Sequence, residues 1–315
     1  MRLLDRILSE GLITYDSDET LQGNLERAQL VVIDNVTTYC YQVAQQQQGQ
    51  PENDVKSSDF PNVMLPFETA FLEMRPRLQA HGGVFPDVYD EAGLLMRMYR
   101  IEEFMSGMSQ DFTDVRTWQT ENMPAGEEVA WLLTARLFLH DRVNRKSIHF
   151  ANFTTAVNRD GRIVNVRQGG WVDTMLMDVR GITPQQQERF AAFFATFCLC
   201  PALMALSFMH CRNVGVRTEV PPVPLSRKHE RKTGRPLLKY RVLQIDHMKQ
   251  VLEREGRVST EGLKRALHIC RGHFATYGKD GKGLLFGKHA ATVWIPMHTR
   301  GSVEEGVVVK DYDVK

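Results

Sequence analysis

The stretch Cys270–Gly301, CRGHFATYGKDGKGLLFGKHAATVWIPMHTRG, concentrates the residues of this chain best suited to chemistry. Imidazole and thiolate are zinc ligands, and His268, Cys270, His273, His289 and His298 fall close together. The one short pair is Cys270-x2-His273, and His289 and His298 do not complete a finger spacing, so no metal is expected. GLLFGKH has three residues between its glycines and a histidine where a P-loop needs a hydroxyl, so it is not a nucleotide cradle. GKDGKG reads as a turn.

Read as one strand, residues 287–300 alternate. Ala291, Val293, Ile295 and Met297 form a core face, while Lys288, Thr292, Trp294, His298 and Arg300 face the other way. On a helix expected before it, Lys264, His268 and Arg271 lie opposite Leu263 and Leu267. Positive charge with an exposed aromatic suits nucleic acid: cations pair with phosphates and an indole stacks on bases. Lys264, His268, Arg271, Lys288 and Trp294, with Arg231, Lys232 and Arg235 upstream, are the candidate nucleic-acid-binding residues. His273, His298 and Arg300 are candidates for base, acid and anion stabiliser in RNA cleavage. Whether the chain is an enzyme stays open. No G-x-S-x-G elbow is present, and no cofactor is implied.

These residues need elements to position them. The 315 residues allow one large or two ordinary domains, with 43% apolar and 24% charged residues, an ordinary globular composition. A net charge of +1 gives no global pull toward polyanions, so any electrostatic role must come from local clusters. Five irregularly spaced cysteines and an N-terminus too charged for a signal peptide suggest a reducing, cytoplasmic setting.

Residues 1–45 read as helical, with Leu3, Leu4, Ile7 and Leu8 in a first stripe and Leu25, Ala28 and Val32 in a second. Residues 45–59 read as a polar loop, 62–74 as a strand or extended piece with an apolar face, and 86–105 as helix or strand. WLLTARLFLHD (131–141) alternates at strand period. Asp160-Gly161 between two β-rich runs signals a type I′ hairpin. Residues 190–209 carry no charge. A capping box at Thr183, Pro184 and Gln186 and the proline at 201 favour a buried core helix over 183–212 rather than a membrane span.

Residues 220–236, VPPVPLSRKHERKTGRP, hold four prolines, and from Arg227 to Arg241 seven Lys or Arg face one Glu. We read this as a basic Pro-rich linker between an N-terminal α+β domain (1–219) and a C-terminal basic α+β module (237–315). In that module LLKYRVLQI reads as a strand. Asp246 caps a helix ended by Gly256, and a second helix runs from Ser259 or Thr260 to Gly272. Strands follow at LLFGK, AATVWIPM and GVVVKDYDV. The fold class is α+β: an antiparallel sheet with packed helices and a smaller module.

LHICRGHFATY, LLFGKHAATVWIPMHTRG and VVVKDYDV resemble the C-terminal end of uncharacterised proteins of phages and mobile elements. MLPFETAFLE (64–73) and MALSFMHCRNV (204–214) resemble other pieces of them. The resemblance covers the last 80 residues or so closely and the rest loosely. It implies a phage or prophage setting and a cytoplasm-like compartment, and carries no activity. The expected partners are nucleic acid or, alternatively, a protein of an assembly, and not a membrane.

Overall fold

The fold was read from a computed structural model. It describes residues 1–13, 20–38, 40, 60–75, 89–101, 129–169, 195–245, 266–270, 273–278, 283–284, 290–295, 298–300 and 302–307. The chain divides into two compact units, Met1–Met209 with Val216–Leu243, and His210–Gly215 with Gln244–Lys315. The class is α+β: a large mixed sheet with a few helices, and smaller sheets near the C-terminus.

The first unit opens with α1 (Leu3–Glu10), whose Leu3, Leu4 and Ile7 are buried, the stripe read from the sequence. A two-residue strand β1 (Leu12–Ile13) and α2 (Leu21–Arg27) follow. The expected continuation of one helical face through Ala28 and Val32 is wrong. The backbone turns extended at Ala28, and Gln29–Val32 is strand β2. Val31 and Val32 are β-branched, and β2 runs parallel to neighbours on both sides, the setting in which a strand is an unbroken apolar run.

β3 (Thr69–Met74) is buried along its whole length. The ambiguous segment is strand β4 (Tyr89–Arg100), antiparallel to β3. β5 (Trp131–Asp141), a strand as its alternation required, and β6 (Lys146–Val157) extend the antiparallel part, and β7 (Ile163–Gly169) closes a hairpin on β6. With β8 (Val214–Glu219) and β9 (Tyr240–Ile245), nine described strands run β1-β6-β5-β4-β3-β2-β9-β8, with β7 beside β6.

The β6–β7 turn is not type I′. That turn needs positive φ at two successive residues, and within this turn only Gly161 has it, at 83°. Asn158 organises the loop instead. Its Oδ1 accepts the N–H groups of Asp160 and Arg162, and its backbone exchanges bonds with Gly161 and Arg162.

A π-turn at Ala195–Leu199 leads into helix α3 (Cys200–Met209), in which Pro201 to Leu203 and Ala205 to Phe208 are buried. Residues 183–194, including the expected cap, lie outside the described residues. Among the described residues no helix is long and apolar enough to cross a membrane. The segment read as a linker contains helix α4 (Val223–Thr233), and it and most of β9 belong to the first unit.

In the second unit, β11 (His273–Tyr277) and β12 (Ala291–Ile295) form an antiparallel pair. β10 (Ala266–Cys270) lies between β13 (His298–Arg300) and β14 (Ser302–Val307). The helix expected from Ser259 to Gly272 is therefore wrong over 266–270. ALHIC fits helical and strand periods equally over five residues, and pairing on both sides selects the strand. The helix expected after Asp246 and most of LLFGK lie outside the described residues, as do all of 45–59.

Candidate nucleic-acid interface

Helix α4 is built from local signals. Pro222 stands at its N-cap and Pro224 in its first turn, where a missing N–H costs nothing. Gly234 ends it in the left-handed conformation, φ 77°, its N–H donating to the Glu230 carbonyl at 2.8 Å. The Thr233 hydroxyl donates to the His229 carbonyl, and His229 Nδ1 donates to the Arg235 carbonyl at 2.8 Å. The Ser226 hydroxyl accepts the Leu237 N–H.

The chain leaving α4 is tied to the body of the unit. Arg235 pairs with Glu26 of α2 at 2.9 Å, and Asp5 of α1 accepts the Leu238 N–H at 2.9 Å. The bond from Arg235 holds the Glu26 carboxyl below its ordinary pKa. Burial raises that of Asp5, with the Leu238 bond opposing it.

No residue of α4 is buried. Arg227, Lys228, Arg231 and Lys232 are exposed and form no ion pair among the described residues. They stand as like charges four apart, 227 with 231 and 228 with 232, each pair costing about 0.2–0.5 kcal/mol. Arg231 and Lys232 recover part of this by facing the negative end of the helix dipole. Glu230 is the one acidic residue of the helix. With no residue buried, the helix presents this unbalanced positive charge to solvent.

The C-terminal segment differs from its sequence reading. Trp294 is 4% exposed, not a surface platform. Its ring meets Phe274 of β11 edge-on at 4.7 Å. Its backbone N–H donates to Asn213 Oδ1 at 2.9 Å, and its carbonyl accepts from Asn213 Nδ2 at 2.8 Å. Val293, next along the strand, is buried as well, against Ala275, so β12 is covered on both faces. That is why one-sided alternation misassigned the indole.

His273 is exposed at the start of β11, opposite Ile295. His298 and Arg300 lie in the other small sheet, where the register sets His298 opposite Cys270 and Arg300 opposite His268. Lys264, Arg271 and Lys288 lie outside the described residues. Of the upstream candidates, Arg231 and Lys232 form no ion pair among the described residues, whereas Arg235 is engaged with Glu26. Arg227 and Lys228, not singled out from the sequence, complete the basic face. The signal for them was a proline opening and a glycine closing eleven residues with cations at i and i+4.

A second cluster of chemical groups lies under α1 and was not foreseen. Glu73 on β3 is buried, and its Oε2 accepts the Leu3 N–H at 2.7 Å and the Leu4 N–H at 3.5 Å, capping α1 from another element. Arg2 lies 3.5 Å from its other oxygen. Burial pushes the Glu73 carboxyl up to about 7, against the pull of Arg2 and with repulsion from Glu91 adding. Arg6 reaches Glu91 at 3.2 Å. The register carries Glu91 of β4 beside His140 of β5, and His140 beside Ser147 of β6. His140 Nδ1 lies 3.4 Å from the Ser147 hydroxyl. All three are buried, which leaves a substrate no approach. The cluster is a polar seam that seats α1.

Burial raises the thiol pKa of Cys40, Cys198 and Cys211, so none of these is an activated nucleophile. Among the described residues no group of three His, Cys, Asp or Glu is placed to hold a metal ion. No protein-family model, no curated protein and no solved structure matches this chain.

Proposed function

We propose that the chain binds nucleic acid by its phosphate backbone through helix α4. The observation that carries this is a helix with no buried residue that bears Arg227, Lys228, Arg231 and Lys232, none of them paired among the described residues. Each cation gains by replacing the condensed counterions of a phosphate chain. The hydroxyls of Ser226 and Thr233 are bonded within the helix and its exit, so the side chains left to meet a ligand from the basic turns are mainly cationic. That favours binding with little sequence preference.

Trp294 adds no stacking surface, because it is core. An RNA-cleaving centre would require His273 and His298 to meet, and they start strands of two different sheets. Binding through α4 requires neither. The test is a fluorescence-anisotropy titration of the whole chain against single-stranded RNA, single-stranded DNA and duplex DNA at low and moderate salt. Binding that weakens steeply with salt is expected for at least one of them. No binding at low salt, or binding indifferent to salt, would sink the proposal.

A further inference from the structure

Strand β8 lies at one end of the large sheet's strand order, with β9 on its one side and no other described strand beside it. Gly215, Val216, Arg217 and Thr218 are all exposed, so the strand is covered on neither face. The exposed large apolar residues of this unit concentrate just here: Val216 is 43% exposed, Val220 61%, Val223 59% and Leu225 56%. Free edges are normally blunted, because their open N–H and C=O groups template pairing with another strand. This one presents β-branched residues and stops at Pro221 and Pro222, which cannot donate to a ladder.

The edge reads Val216-Arg217-Thr218-Glu219-Val220. Two antiparallel copies centred on Thr218 place Thr218 opposite Thr218. Arg217 then faces Glu219 of the second copy, Glu219 faces its Arg217, and Val216 faces Val220 on both sides. Cross-strand opposite charges, Thr–Thr and β-branched pairs are each stabilising. A shift that centres the pair on Arg217 sets two guanidiniums against each other. A centre between Arg217 and Thr218 opposes Val216 to Glu219 and leaves the charges unmatched. The charge order is self-complementary in one register, which is what a two-fold interface demands.

We propose that two copies of this chain associate through antiparallel pairing of their β8 edges, in register about Thr218. The pairing adds about four to six backbone hydrogen bonds, depending on which residues turn their amides outward. It also sets the exposed Val216 and Val220 of the two copies against each other. This stands apart from the nucleic-acid reading, since it uses none of the cations of α4.

The charge order gives the test. Arg217→Glu sets acid against acid across the dyad, and Glu219→Arg sets base against base. Either variant alone disrupts the pairing, although positions 217 and 219 lie at a solvated edge where folding is little affected. In an equimolar mixture the two variants complement each other, acid facing base at both crossings, while the intrachain Arg217–Glu219 ion pair is absent from both. Sedimentation equilibrium of the full chain should show a wild-type dimer, dimerisation weakened about tenfold or more in each single variant, and a heterodimer recovered on mixing. A wild type that stays monomeric at every concentration reached overturns the proposal. So does a dimer indifferent to both substitutions, or a mixture that remains monomeric.

Discussion

Replacing Glu73 by Gln should flatten the pH dependence of stability across the weakly acidic range. The Glu73 carboxyl is buried under α1 and its pKa is raised to about 7 from an ordinary 4.5, chiefly by burial. A carboxyl raised in the folded state binds its proton more tightly there than in the unfolded chain. Its favourable contribution is full below about pH 4.5, where both states are protonated. It is lost as pH rises through about 7, where both are ionised. A shift of that size, at about 1.4 kcal/mol per pH unit, is on the order of 3 kcal/mol. Asp5, also raised by burial, acts in the same direction.

Gln keeps an oxygen for the Leu3 N–H and carries no charge to bury. The variant should gain stability at pH 8, less whatever Arg2 loses by giving up its partner, and should lose most of the slope between pH 5 and 7. Urea denaturation followed by circular dichroism at half-unit pH steps measures both chains. Wild-type stability that is flat or rising from pH 5 to 7.5, or a variant with the wild-type slope, refutes the assignment.

Two other outcomes follow from packing. Trp294→Ala should cost about 3–5 kcal/mol and disorder the second unit, because the indole packs on Phe274 and its backbone is held by Asn213. Proton NMR of the variant should show the second unit's dispersed resonances collapsing, and retained dispersion would contradict this. Gly93→Ala should destabilise by about 1–3 kcal/mol, since a Cβ there would stand 2.3 Å from the Phe71 ring and 3.2 Å from Leu3. An unchanged Tm would show that Phe71 moves aside freely.

Local structure was legible where the residue types alternate or recur at helical spacing. β5 is the strand its alternation required, although Phe138 and His140 on its second face are buried with Leu137 and Leu139, and α1 has its buried Leu3, Leu4 and Ile7 stripe. Legibility failed where the residue types did not show which faces would be covered. β2 has no alternation to show, because parallel neighbours bury it throughout, and β12 hides Trp294 as well as Val293. Helix α4 was readable from Pro222, Pro224 and Gly234, but its lack of an apolar stripe made it look like a linker. The seam of Glu73, Glu91, Arg6, His140 and Ser147 was beyond reach. Its members come from separate segments, and strand register alone brings them together. The self-complementary order at 216–220 could be seen in the sequence, but acquires meaning only once β8 is known to lie at a sheet edge.

The most direct test of the account is the salt dependence of duplex-DNA binding by the wild-type chain and by a variant carrying Arg227→Gln, Lys228→Gln, Arg231→Gln and Lys232→Gln. If the four cations of α4 each neutralise a phosphate, the slope of log affinity against log salt should be shallower in the variant by about 3.6. The wild type would then lose about a hundredfold more affinity than the variant between about 50 and 200 mM salt. Equal slopes in two folded proteins would contradict the claim that α4 is where nucleic acid binds.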